Sequence, residues 1–151
     1  MSERLDQLYR QVILEAARKP HNEGELANAT HEITLKNPSC GDVLTLQLAV
    51  VDNHVAAVAF HGEGCTISKA SASLMTQQIL HQTPDAIADL VGSFSDLMLD
   101  GDARAHRDLG DAAIFAGVHQ FPARIKCATI AWKAVSQALA KGDTNDRNEE
   151  Y

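Results

Sequence analysis

Glu32-Ile33-Thr34-Leu35-Lys36, Leu44-Thr45-Leu46-Gln47-Leu48 and the apolar run from Val55 to Phe60 decide the fold. The first two alternate polar and apolar residues, the period of a strand with one buried face, and Asp52-Asn53 supplies a turn before the third. Three consecutive strands with short connections predict an antiparallel meander whose Leu-rich face packs on helices. Upstream, Leu5, Leu8, Val12 and Ala16 share one face of a segment closed by Pro20, which predicts an amphipathic N-terminal helix. Downstream of Cys65 the period changes to 3.6. Ile67, Ala70 and Leu74 mark one helix. Thr83-Pro84-Asp85 has the capping hydroxyl, proline and acid of a second helix start, and Ile87, Leu90, Val91 and Phe94 are its stripe. Asp100 to Gly110 reads as a charged loop, and Pro122 opens a last helix striped by Ala128, Trp132, Val135 and Leu139. The expectation is an α+β fold: a three-stranded antiparallel meander with helices on one face, an N-terminal helix and a helical C-terminal half. It forms one domain over residues 1–141, with a polar tail, 142–151, expected to fray.

With 151 residues, 45% of them hydrophobic and 22% charged, the chain is sized for one core. Nine glycines and four prolines exclude collagen-like and low-complexity classes. No apolar run reaches the roughly 18 to 20 residues that span a bilayer. Met1-Ser2-Glu3-Arg4-Leu5-Asp6 lacks the apolar segment of a signal peptide, so a cytoplasmic protein without membrane partners is expected. Net charge is −7, from 13 basic and 20 acidic residues. Lys and Arg are scattered singly, and even Arg104, His106 and Arg107 are diluted by Asp100, Asp102 and Asp108. A nucleic-acid backbone would be repelled, and no nucleic-acid partner is expected.

The chemistry lies in three cysteines, Cys40, Cys65 and Cys127, an odd number that cannot complete a disulfide framework. Each sits where the backbone changes element. Cys40-Gly41-Asp42 falls in the turn between the first two strands, Cys65 follows Gly62-Glu63-Gly64 at the end of the third, and Cys127 lies in the first turns of the last helix. In a meander the first turn and the end of the third strand share one edge, so Cys40 and Cys65 can meet. With Cys127 and an Asp42 oxygen they make the tetrahedral donor count that zinc prefers. The competing reading is three buried cysteines acting as small hydrophobes. His61, four residues before Cys65, is a weaker ligand candidate, as is His119. Ser68, Ser71 and Ser73 have no Gly-x-Ser-x-Gly elbow around them, and neither phosphate-binding glycine motif occurs.

Pro38-Ser39-Cys40-Gly41-Asp42, Gly62-Glu63-Gly64-Cys65-Thr66-Ile67-Ser68-Lys69-Ala70-Ser71-Ala72-Ser73 and Phe121-Pro122-Ala123-Arg124-Ile125-Lys126-Cys127-Ala128 together resemble the SufU branch of the IscU-like (NifU N-terminal-like) family. The resemblance runs from about Leu5 to Leu139. Scaffold-type members carry a Leu-Pro-Pro-Val-Lys motif followed by His-Cys. Here that motif is missing and Lys126 stands in the place of the histidine. The segment between Cys65 and Cys127 is also longer, with an added region around Phe94 to Asp111, as in SufU-like proteins.

The resemblance implies one zinc held by Cys40, Asp42, Cys65 and Cys127, and a SufS-type, pyridoxal-phosphate-dependent cysteine desulfurase as partner. Its persulfide sulfur would pass to Cys40, and the chain would act as co-substrate or activator of the desulfurase. A histidine of that partner would take the Cys40 place at zinc. The SufBCD cluster-assembly complex is a further candidate partner. Arg124, three residues before Cys127 on the same helix, is the expected charge stabiliser of a thiolate or persulfide. Glu63 and Lys69 are candidate partner contacts, with ordinary surface residues as the alternative. Two other functions stay open: a scaffold that assembles an iron-sulfur cluster on the same ligands, and a small protein with purely structural zinc.

Overall fold

The computed structural model describes residues 3–38, 41–140 and 147–150, with side chains from 7 to 38 and 41 to 140. The elements run α1 (Glu3–Arg18), β1 (His31–Asn37), β2 (Asp42–Val51), β3 (His54–Glu63), α2 (Thr66–Ile79), α3 (Pro84–Asp100), a 3-10 helical segment (Ala103–Gln120), α4 (Pro122–Ala140) and β4 (Arg147–Glu150). The architecture is α+β. β1, β2 and β3 form the antiparallel meander, β2 in the middle, and β4 lies parallel to the outer edge of β1.

The alternation in β2 does what a period of two requires. Leu44, Leu46 and Leu48 are buried beneath the helices, while Val43, Thr45 and Gln47 face the other way. Asp42 occupies the same inward series, so the strand that builds the core also drives a carboxylate into it. Val43 pairs with Glu63 and Leu44 with Gly62, bringing the start of β2 beside the end of β3. A Cβ on Gly62 would lie 2.0 Å from the Val43 carbonyl oxygen, so this register admits no side chain there.

α2 and α4 form the layer over the sheet, with α1, α3 and the 3-10 segment packed outside it. Trp132 of α4 stacks on Phe94 of α3, ring centroids 4.4 Å apart and planes 11° from parallel. The indole N–H of Trp132 donates to Ser71 Oγ at 3.0 Å, and Ser71 donates to the Ala128 carbonyl at 2.5 Å. These two bonds lock α2 to α4 next to Cys127, with no polar atom of the trio left orphaned. Thr83 caps α3 as its sequence predicts, accepting from the Ala86 N–H at 3.2 Å.

Three local expectations change. The stretch read as a loop from Asp100 to Gly110 is largely 3-10 helical, broken by non-helical backbone at His106 and Gly110. Buried Leu109, Ala112, Phe115 and Val118 hold these short turns against the core, a tertiary anchor that charge content conceals. In α1 Ala16 is buried, but Ile13 and Ala17 complete the packed face and Leu8 is 53% exposed. Packing against α2 selects that rotation. Arg147–Glu150, within the tail expected to fray, pairs by backbone with β1, whose open edge offers partners whatever the side chains. The rest of that tail lies outside the described residues.

Candidate metal centre

Asp42, Cys65 and Cys127 converge at the end of the sheet where β2 begins and β3 ends. One Asp42 oxygen and the two sulfur atoms all lie within 4.8 Å of one another, and this is the only group of its kind among the described residues. Asp42 arrives on the inward face of β2. Cys65 is the N-cap of α2, in extended backbone immediately after the Gly64 that follows β3. Cys127 comes from the second turn of α4 and is fully buried, whereas Cys65 is half-buried. The group is thus reached by solvent from the Cys65 side.

The Asp42 carboxylate is used unevenly. Oδ1 accepts from the Cys65 N–H at 3.1 Å, and the Ser68 hydroxyl lies 3.4 Å from the same oxygen. Oδ2 is buried with no hydrogen-bond partner among the described residues. A buried carboxylate oxygen left bare costs on the order of 1–3 kcal/mol or more, and a cation is the partner that repays it. Two sulfurs and one carboxylate oxygen at this spacing fit a thiophilic divalent metal, zinc foremost. The positive end of the α2 helix also faces the group, where anionic ligands are favoured.

Cys40, the sequence's fourth ligand candidate and its sulfur acceptor, lies outside the described residues. Its surroundings are placed: Gly41 has φ 75° and its N–H donates to the Asn37 carbonyl at 2.8 Å. That left-handed backbone, natural to glycine, closes the turn between Asn37 and Asp42, which pair across the ends of β1 and β2. Arg124 is exposed and lines a groove of about 350 Å³ between α1, α2 and α4, shared with Tyr9, Leu14, Thr66 and Phe121. Thr66 follows Cys65 in the chain, so the groove borders the first turn of the helix that Cys65 caps.

His61 is not part of the group; its Nε2 is 3.6 Å from Glu25 Oε1. His119 donates from Nδ1 to the Met98 carbonyl. Lys69 lies 3.8 Å from Glu23, and Glu63 is exposed. Ser68 carried no role in the sequence reading beyond a missing hydrolase elbow. Its signal was its place three residues after Cys65, the N3 position of a helix whose N-cap is a ligand candidate.

A three-stranded meander that carries a buried carboxylate and two cysteines at its end, under a two-helix layer, defines a small α+β class with a candidate metal site. The chain belongs to the NifU-like N-terminal domain family, whose model matches residues 8–128. It is 43% identical to the zinc-dependent sulfurtransferase SufU of Bacillus subtilis (strain 168), over 91% of this chain and 92% of that one. It is 36% identical to the iron-sulfur cluster assembly scaffold protein IscU of Streptococcus pyogenes serotype M1, over 91% and 86%. Among solved structures it is similar to a protein of Fervidobacterium islandicum AW-1, assigned as an iron-sulfur cluster assembly scaffold for the SUF system. That structure has a TM-score of 0.77 and 31% identity over 88% of this chain and 97% of that one.

Proposed function

We propose that this chain is a zinc-dependent sulfur-transfer protein of iron-sulfur cluster biogenesis, accepting persulfide sulfur on Cys40 from a SufS-type cysteine desulfurase. The observation that carries the reading is the buried Asp42 carboxylate, one oxygen of which lies within 4.8 Å of two cysteine sulfurs and whose Oδ2 has no hydrogen-bond partner among the described residues, in a chain similar to a zinc-dependent sulfurtransferase. Asp42, Cys65 and Cys127 would hold the zinc, with Cys40 as fourth ligand. When bound, zinc supplies a redox-silent positive charge that keeps its thiols as thiolates at neutral pH.

The division of labour follows from anchoring. Asp42 is fixed by β2, Cys65 by the cap of α2 and Cys127 by the packed interior of α4, so these three hold. Cys40, three residues after Asn37 and two before Asp42 in the chain, is the ligand assigned to exchange with a partner's cysteine. Its thiolate attacks the outer sulfur of the desulfurase persulfide: a new S–S bond forms on Cys40, the old one breaks, and the desulfurase cysteine leaves as a thiolate. Arg124, on the rim of the adjoining groove, offers positive charge to the anionic sulfur in transit. The SufBCD cluster-assembly complex is a further proposed partner. Among the described residues no helix is long and apolar enough to cross a membrane, and we place the reaction in the cytoplasm.

The similarity to IscU scaffold proteins supports a second reading, assembly of a cluster on the same ligands. Lys126 favours transfer, because a protonated ammonium has no lone pair to give a cluster where a histidine would. The deciding experiment supplies zinc-loaded and metal-free protein with desulfurase, cysteine and ferrous iron under anaerobic conditions. Zinc-dependent stimulation of the desulfurase without a stable chromophore is the expected result. A metal-free form that stimulates equally, builds a cluster and passes it to an apo-ferredoxin would establish the scaffold instead.

A further inference from the structure

Ser68 is 6% exposed at the third position of α2, and every contact of its hydroxyl goes to a residue of the metal group. The single Ser68 hydroxyl proton has two acceptors in reach, Asp42 Oδ1 at 3.4 Å and the Cys65 carbonyl at 3.0 Å, and the Cys65 thiol donates to Ser68 Oγ at 3.7 Å. Asp42 comes from a strand and Cys65 from a helix cap, so one hydroxyl touches both across the join between sheet and helix. Beside it, the Cys65 N–H reaches the same Asp42 oxygen from a second direction at 3.1 Å. The Cys65 N–H, with the Ser68 hydroxyl beside it, engages Oδ1 and leaves Oδ2 without a hydrogen bond among the described residues.

Gly64 belongs to the same device. A Cβ there would stand 2.2 Å from Ser68 Oγ and 3.3 Å from Asp42 Oδ1, so any side chain at 64 would push the hydroxyl off the carboxylate. The plain alternative is a first-turn serine bonded back to its own helix, which would affect only helix stability. That reading accounts for the contact with the Cys65 carbonyl and leaves the convergence on Asp42 and the bare space at Gly64 unexplained.

We propose that Ser68 is a positioning residue of the metal centre: its hydroxyl, in the space left by Gly64, orients Asp42 so that Oδ2 is the ligand. The inference rests on the zinc reading above. Groups that orient a ligand typically account for about 10- to 100-fold in metal affinity.

The test compares the full chain with Ser68→Ala, Ser68→Thr and Gly64→Ala. Zinc affinity is read by competition with a chromophoric chelator, the ligand field by the visible spectrum of the Co²⁺ form, and metal-free stability by urea unfolding. S68A and G64A should bind zinc about 10- to 100-fold more weakly with an altered Co²⁺ spectrum, and S68T, which keeps the hydroxyl, should stay within about threefold of the original. The metal-free urea midpoint of S68A should match that of the unaltered chain. Unchanged zinc affinity in S68A overturns the inference while leaving the zinc reading standing. Equal weakening in S68A and S68T, or a metal-free destabilisation as large as the affinity loss, also overturns it. An unaltered chain that takes up no zinc overturns the zinc reading, and the inference with it.

Discussion

Asp42 is an aspartate in an inward series that its own strand otherwise fills with leucine, and the proposed zinc site accounts for the exception. Asp42→Asn removes the charge that leaves Oδ2 costly in the metal-free protein. The metal-free variant should therefore melt higher, by roughly 2–4 °C for each kcal/mol recovered, while binding zinc more weakly. Calorimetry with and without chelator checks both halves, and a metal-free melting point that falls would refute the account of Oδ2. For Cys40 the prediction concerns chemistry rather than fold. Cys40→Ser should abolish desulfurase stimulation yet retain a cooperative unfolding transition, because the described core does not depend on the turn. Mass spectrometry after incubation with desulfurase and cysteine should place an added sulfur on the Cys40 peptide. Finding it only on Cys65 or Cys127 would reverse the assigned roles.

At the scale of elements, the join between α3 and the 3-10 segment is made by a polar network. His106, buried at a non-helical backbone position, donates from Nε2 to Asp100 Oδ2 at 2.7 Å, and its Nδ1 lies 3.1 Å from Ser93 Oγ, which donates to Asp108. The hydrogen bond from His106 holds the Asp100 carboxyl below the usual carboxylate range, aided by the Asp102 N–H; desolvation opposes this, and the charges of His106 and His119 add to it. A carboxyl depressed in the folded state stabilises fully above its unfolded value near 3.9, and that contribution disappears as pH falls through the lower folded value. Asp100→Asn should accordingly melt below the parent at pH 6, with the gap closing as the pH is taken toward 3. A gap that persists at the acid end would assign the effect to packing. The periodicity of the strands and of α3 was legible because it repeats within a few residues. The 3-10 turns were not, since what holds them is contact with α3 and the core.

For the molecule as a whole, the proposed zinc and the core should contribute separately. Structural zinc can supply on the order of 10 kcal/mol where a small domain has little else, but here Leu46, Phe94, Phe115 and Trp132 are all fully buried independently of the site. Chelation should lower the melting temperature and leave a cooperative transition, and freshly purified protein should contain one zinc per chain by elemental analysis. Protein that is unfolded by circular dichroism after chelation would mean that the core cannot stand alone.

By itself the sequence determined the meander, the order of helices around it, the single core and the residue types at the site, because strand period, caps and turn chemistry act over short stretches of chain. It also held the three blocks around Cys40, Cys65 and Cys127 that mark the family. Only the tertiary structure decided which face of α1 is packed, that Arg147–Glu150 pairs with β1, and that Ser68 lies beside the Asp42 carboxylate. Those outcomes depend on the β2–β3 register and on how α2 and α4 cross the sheet. They arise from contacts between residues tens of positions apart, which no local pattern encodes.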